Sequence, residues 1–377
     1  MDFLPEKKLG FGLMRLPTSV ANDPAAIDVE LLKKMVDTFM ERGFTYFDTA
    51  IMYNGFMSQP MVKEVLTSRY PRESFTLATK LHHAFFKTLE DRDKVFNEQL
   101  EQTGAGYFDY YLLHGIESSN IDQFEELDCF NWLLAKRDAG LVKHVGFSFH
   151  DTPELLDEIL TRHPEMEFVQ LQINYLDWES EWVHSRRVYE VARAHNTPIV
   201  VMEPVKGGTL ANVPDEAEAI LKGLDPDASA ASWAVRFVAS LEGVMCVLSG
   251  MSNMDQLLDN TGYMQDFKPL TEAEKEACFK VADIINAQTA IPCTACHYCT
   301  EGCPMHICIP EYFSLYNEDM REDLSQKGWT VNFSNYKHLA KEFGKASDCI
   351  GCGQCEAVCP QHIEIISALE KLVDHFE

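Results

Sequence analysis

The chain has 377 residues, 46% hydrophobic and 24% charged, which is enough to bury a large core and suggests about two domains by length. Its formal net charge of -27 excludes a nucleic-acid surface, since phosphates would be repelled. No apolar run reaches the roughly 18 residues of a membrane helix, and the opening MDFLPEKKLG has no apolar h-region, so neither a membrane span nor a signal peptide is expected.

Short apolar runs alternate with amphipathic stretches along most of the chain. Strands are predicted at 8–13, 45–48, 76–79, 110–113, 144–147, 168–172, 199–203 and 245–248. The stretch 27–42 carries Leu31, Leu32, Met35, Val36 and Phe39 at helix period, and 124–139 and 180–195 behave alike. Asp151-Thr152-Pro153-Glu154 reads as a helix start, with Thr152 as N-cap and Pro153 in the first helical position. Eight strands, each followed by a helix over about 260 residues, is the pattern and size of a (β/α)8 TIM barrel. A doubly wound sheet competes, but no G-x-G-x-x-G follows the first strand.

A boundary is expected near Asp266-Phe267-Lys268-Pro269-Leu270, dividing a barrel over 1–268 from a second domain over 269–377. A polar-faced helix is predicted at 271–287, with further helices at 310–326 and 334–343. Eight of the twelve cysteines then form two copies of one spacing. They are Cys293-x2-Cys296-x2-Cys299-x3-Cys303-Pro304 and Cys349-x2-Cys352-x2-Cys355-x3-Cys359-Pro360. This run is the bacterial ferredoxin signature for a [4Fe–4S] cluster, and in two-cluster ferredoxins the fourth cysteine ligates the other cluster. Cys293, Cys296, Cys299 and Cys359 are therefore assigned to one cluster, and Cys303, Cys349, Cys352 and Cys355 to the other. Zinc ribbons use C-x2-C pairs rather than a repeated three-plus-one run, and disulfides belong to oxidising compartments. The fold class expected is α/β: a TIM barrel followed by a mainly helical, ferredoxin-like domain with two clusters. Cluster cysteines assemble reduced, so a cytoplasmic protein is expected. Cys129, Cys246 and Cys278 read as buried small hydrophobes, and Cys308 as packing in preference to a spare ligand.

Chemistry in a (β/α)8 barrel sits at the C-terminal ends of the strands. Here strand two ends in Asp48, with Tyr53 five residues on; strand three leads into Lys80; strand four leads into His114. A carboxylate, a phenol, an ammonium and an imidazole thus come from three consecutive strand ends. The competing interpretation is a rim salt bridge between Asp48 and Lys80, with Tyr53 and His114 as wall residues.

Asp48-x4-Tyr53, Thr79-Lys80 and Leu112-Leu113-His114, extended by Gly146-Phe147-Ser148 and Gln172, resemble the aldo-keto reductase family over most of residues 5–265. With both cysteine runs the whole chain resembles the ferredoxin-fused branch of that family. The resemblance implies that Tyr53 is the general acid protonating a substrate carbonyl oxygen as hydride reaches its carbon. A free phenol, with a pKa near ~10, is too weak an acid at neutral pH; Lys80 beside it would favour phenolate. Asp48 would keep Lys80 charged and oriented, and His114 would orient the carbonyl oxygen. The resemblance also implies nicotinamide contacts from Ser148 and Gln172. It implies a phosphate and adenine end formed by Ser249, Gly250, Ser252, Gln256 and Asn260. Partners implied are a small-molecule carbonyl or alcohol substrate and a redox partner protein, a ferredoxin or a flavoprotein, with no nucleic acid and no membrane.

The sequence departs from the family's pattern in three places. Phe149 stands where the family has Asn, and His150 follows it. No Lys or Arg occurs within 249–260 to hold a 2′-phosphate, so either NAD replaces NADP or nicotinamide is not the main donor. Glu203 after strand seven would repel a pyrophosphate unless Lys206 offsets it. His82 and His83 read as loop residues that either shape a pocket or are ordinary exposed histidines, and Arg15 as an anion holder or a surface ion pair. Trp178 and Trp182 line a pocket or cap the barrel.

Hydride transfer moves two electrons, whereas a [4Fe–4S] cluster passes one at a time. Three arrangements are compatible with the sequence: clusters serving a redox intermediary, a barrel site using cluster electrons directly, or a barrel working alone with NAD(P)H beside structural clusters. An electron-transfer or adaptor protein with a scaffold barrel is the non-enzyme alternative.

Overall fold

Eight parallel strands close into a barrel in chain order: β1 (Leu9–Gly12), β2 (Tyr46–Asp48), β3 (Thr76–His82), β4 (Phe108–Ile116), β5 (Val142–Phe149), β6 (Phe168–Gln172), β7 (Ile199–Met202) and β8 (Val244–Gly250). The computed structural model describes residues 5–20, 23–180, 183–321 and 330–377. Strand side chains alternate between two faces. Tyr46, Ala78, Tyr110, Leu112, Phe168, Val200, Met245, Cys246 and Leu248 form one buried cluster, with Tyr110 and Leu112, and Cys246 and Leu248, spaced by two. This apolar plug packs the barrel interior. The register sets Gly12 against Asp48, Asp48 against Ala78, Lys80 against Leu112 and His82 against His114. Asp48 is thus two residues on from Tyr46, Lys80 from Ala78 and His114 from Leu112, on the faces that carry the plug.

The Thr152 hydroxyl accepts a hydrogen bond from Leu155 N, and Pro153 opens the helix Pro153–Arg162, as its sequence predicts. The helix predicted at 124–139 is two, Ile121–Glu126 and Cys129–Asp138. The break is at Asp128, whose φ is +50°, and the carbonyls of Leu127 and Asp128 turn to Arg92. The helix predicted from 180 begins at Ser185, after His184 at φ +55°. The helix predicted at 310–326 is observed as Ile309–Arg321, its remainder lying outside the described residues, and the one at 334–343 as Val331–Leu339. Trp182 also lies outside the described residues.

The chain divides into two units, Met1–Val205 with Asp227–Lys275, and Lys206–Pro226 with Glu276–Glu377. A single cut near 268 misses the excursion at 206–226. Within the second unit this segment is held by named contacts. Lys206 Nζ donates to Gln361 Oε1 at 3.2 Å. Gly207, at φ +63°, lies so close to the chain that a Cβ there would sit 2.0 Å from the Thr294 carbonyl oxygen. No local pattern announces packing against residues so far away in sequence. The rest of this unit is helical, as expected, around a core that includes Ile307, Ile309, Tyr312, Phe313, Tyr336, Leu369, Leu372 and Phe376. Tyr336 stacks on Phe376 with centroids 4.9 Å apart and planes 10° from parallel. Among the described residues no helix is long and apolar enough to cross a membrane.

Candidate active site and cysteine cavities

In the barrel, Lys80 has no solvent exposure and Asp48 is 2% exposed. Lys80 Nζ donates to Asp48 Oδ1 at 2.5 Å and to the Thr49 carbonyl at 3.0 Å. Burial pushes the Asp48 carboxyl up, against the nearby ammonium, and pushes Lys80 down, against the nearby carboxylate. The pair is therefore not at the solvated rim: β3 continues past the predicted end at 79 to His82, carrying Lys80 inside.

Tyr53 is buried, and Lys80 Nζ lies 5.2 Å from its ring centroid. The His114 ring meets Tyr53 edge-on, centroids 6.2 Å apart and planes at 83°. The four residues expected to act together are thus gathered in one place. Three successive residues after Tyr53 are left-handed: Asn54 at φ +52°, Gly55 at +57° and Phe56 at +68°. Asn54 anchors this turn, donating to the Leu13 carbonyl at 2.7 Å and accepting from Leu16 N at 3.3 Å. Ser58 also donates to Leu13 O, at 3.0 Å. Strained backbone held by buried hydrogen bonds fixes where Tyr53 stands. Sequence reasoning passed over Asn54; its only local signal is that Asn tolerates positive φ.

His114 is 8% exposed, and its Nδ1 has no hydrogen-bond partner among the described residues. Burial, helped by His82 and Lys80, drives its imidazole well below the usual range, so it is neutral. His82 is not a loop residue. It closes β3, packs against His114 and His83 at 5.1 and 4.4 Å between centroids, and accepts from Ala84 N at Nδ1. Burial, then His83 and His150, takes its pKa down to about 3. His83 is lowered too, by burial and then by Lys87.

The residues expected to meet a nucleotide are mostly occupied with one another. Ser148 Oγ accepts from Gly115 N at 2.7 Å, leaving its own O–H to donate. Gln172 Nε2 lies 3.4 Å from Asp177 Oδ2. Asn260 donates to Ser249 Oγ at 2.7 Å and accepts from Tyr263 OH at 2.7 Å. Gln256 Oε1 accepts from Ser252 N at 2.7 Å, and Ser252 Oγ donates to the Arg15 carbonyl at 2.9 Å. Gly250 is exposed, and the Arg15 stem lies 3.3 Å from where its Cβ would be, so Arg15 is a cation beside a segment that has none of its own. The Lys206 ammonium, expected to offset Glu203, donates to Gln361 Oε1 at 3.2 Å.

In the second unit Cys293, Cys296, Cys299 and Cys359 line one cavity. Cys303, Cys349, Cys352 and Cys355 line another. These are the two crossed sets drawn from the spacing. Burial pushes the Cys293 thiol up to about 12 and Cys355 to about 11, so these sulfurs become thiolates only if a metal charge holds them. The donor sets fit a cubane. Cys308 lines neither cavity; it is buried in the core, as are Cys129, Cys246 and Cys278 in theirs.

The family model described as "Aldo/keto reductase family" matches residues 8–283, and that described as "4Fe-4S dicluster domain" matches residues 292–364. An uncharacterized oxidoreductase of Bacillus subtilis, YqkF, is 24% identical over 276 residues, which is 64% of this chain and 85% of that protein. The holo form of aldo-keto reductase AKR11C1 from Bacillus halodurans superposes with a TM-score of 0.60 at 23% identity, covering 74% of this chain and 94% of that one. An aldo-keto reductase from Klebsiella pneumoniae in complex with NADPH gives 0.58 at 15% identity, covering 73% and 90%. At these identities the structural likeness is one of fold.

Proposed function

The chain belongs to the aldo/keto reductase family and carries a C-terminal 4Fe-4S dicluster domain, and on that premise we propose that it is an oxidoreductase that reduces a small-molecule carbonyl, or oxidises the alcohol, with Tyr53 as general acid/base. The observation that carries this is the buried Lys80–Asp48 pair set against the Tyr53 ring, with a neutral His114 edge-on to the same ring. When bound, a nicotinamide supplies hydride and each cluster supplies one electron at a time.

The residues divide the remaining work. Lys80 places a positive charge beside the phenol, which favours phenolate and makes Tyr53 a stronger acid near neutral pH. Asp48 keeps that ammonium charged in a site where burial alone would neutralise it. His114, neutral, offers a hydrogen bond to the carbonyl oxygen without competing for its proton. Ser148 and Gln172 are the proposed carboxamide contacts, and Arg15 with the segment Ser249–Ser252 the proposed phosphate end. Asn260 and Gln256 hold that segment in shape through Ser249 and Ser252. The two cysteine sets are the proposed cluster ligands. Thiolate ligation fits a reducing, cytoplasmic setting, and a ferredoxin or flavoprotein is the proposed electron partner.

The test is anaerobic incubation of the cluster-loaded chain with NADH or NADPH and a panel of aldehydes and ketones. Consumption of nucleotide with matching alcohol formation is expected. Absence of turnover with both nucleotides across the panel would sink this function, and bleaching of the clusters by either nucleotide would couple the two chemistries.

A further inference from the structure

Resting on the carbonyl-reducing function proposed above, we infer that Phe56, Phe85 and His82 form the wall along which substrate reaches Tyr53, and that they select a planar aromatic aldehyde or ketone. The rings run in an unbroken row. Phe56 meets Phe85 at 6.0 Å between centroids with planes at 86°, and Phe85 meets His82 at 5.9 Å and 62°. His82 meets His114 at 5.1 Å and 84°, and His114 meets Tyr53 at 6.2 Å and 83°. Exposure falls along the same row. Phe56 is 56% exposed, Phe85 and His82 are half-buried, and His114 and Tyr53 are each 8% exposed. The row thus leads from solvent to the phenol.

Packing alone does not account for the outer end of this row. Phe86 turns into the core and meets Phe124 at 5.8 Å, whereas Phe85 beside it stays half-buried. Phe56 leaves more than half its surface in water and so gains little from burial. It also sits at φ +68°, where a bulky side chain is a true outlier and glycine would sit without penalty. Strain of this kind collects at ligand sites. The phenyl is therefore held outward at a cost to the fold, as a surface that receives a guest would be. His82 is fixed as well, its Nδ1 accepting from Ala84 N at 3.1 Å. Burial keeps both imidazoles of the row neutral, so each offers a guest an aromatic edge or face in place of a charge. A flat aromatic guest joins such a row through offset or edge-on contacts worth more than the area they bury, whereas a saturated ring of the same size gains the area alone. A wall fixed before the guest arrives loses little freedom on binding.

The experiment compares benzaldehyde with cyclohexanecarbaldehyde, the same carbon skeleton with and without a flat ring, as substrates of the full cluster-loaded chain supplied with NADH or NADPH. The readout is the ratio of their kcat/KM values, in which a general fault of a variant cancels. Phe56→Leu and Phe85→Leu should each lower that ratio about two- to tenfold, through KM for benzaldehyde, and Phe56→Tyr should keep it. Phe56→Gly should lower the ratio without lowering the melting temperature. An unmoved ratio in a chain carrying both leucines overturns the inference, as does a Phe56→Gly chain that melts lower with its ratio intact. Should neither aldehyde turn over with either nucleotide, the proposed reduction itself fails, and saturation-transfer NMR with benzaldehyde decides the wall separately. Transfer to its ring protons that the double-leucine chain loses supports the inference; transfer equal in the two chains, or none in either, overturns it.

Discussion

Lys80 Nζ lies 2.5 Å from Asp48 Oδ1 inside a barrel where neither side chain meets solvent to any extent. Removing one partner leaves the other as an uncompensated buried charge. Lys80→Met should therefore destabilise the barrel by about 3–5 kcal/mol. Adding Asp48→Asn should recover much of that loss. Urea unfolding of the two variants measures the difference, and a double variant no better than the single one would show that the carboxylate is not the source.

Tyr53→Phe tests the chemistry apart from the fold. The ring that packs on Lys80 and His114 is kept, and only the hydroxyl goes. Carbonyl reduction should fall by about 10²–10⁴-fold in kcat, the range for a lost general acid, with nucleotide affinity unchanged. A variant that retains full turnover removes Tyr53 from the mechanism.

The histidines at the mouth give the barrel an acid-sensitive stability. His82 is held to about 3 when folded, against 6.5 for an unperturbed imidazole. Between those values the unfolded chain binds a proton that the folded chain does not, so stability falls as pH drops below about 6.5. For His82 alone the slope approaches about 1.4 kcal/mol per pH unit, somewhat less because the ring keeps some solvent. The gap between urea midpoints at pH 7 and pH 5.5 should narrow in His82→Gln, with His114 and His83 keeping the remainder. An unchanged slope would assign the acid sensitivity elsewhere.

The barrel was legible in the sequence because each strand is a short apolar run. The plug residues Tyr46, Tyr110 and Leu112 sit two or four residues before the polar groups they support. Asp48, Tyr53, Lys80 and His114 were legible for the same reason: polar groups following apolar strands. The helix break at Asp128 was not, because it depends on Arg92, 36 residues away. Nor was the inward role of His82, because β3 extends three residues beyond its apolar run and takes a histidine with it. The crossed cysteine sets follow from spacing alone, but the commitment of Lys206 to Gln361 spans 155 residues and leaves no local trace.

Cys359→Ser should remove one cluster and spare the other. Iron and sulfide should fall by about half, and the signal that remains should belong to the set of Cys303, Cys349, Cys352 and Cys355. If the surviving cluster instead depends on Cys293 and Cys296, the ligands are not crossed.

Gly207 and Gly106 offer a matched comparison. Both have positive φ, +63° and +73°, but a Cβ at Gly106 meets nothing within 4 Å, whereas at Gly207 it meets Thr294. Gly106→Ala should cost only the backbone term, about 1–2 kcal/mol. Gly207→Ala should cost more and lower iron retention. Equal losses in melting temperature, with iron content unaffected, would mean that the segment is free to move off Thr294.

The excursion at 206–226 has a consequence for how such a gene is put together. The iron–sulfur half is not a cassette appended after the last helix, because part of its fabric is encoded between two barrel strands. Grafting the tail alone onto an unrelated barrel would deliver cysteines without the lysine and glycine that brace them. A working chimaera must carry both pieces.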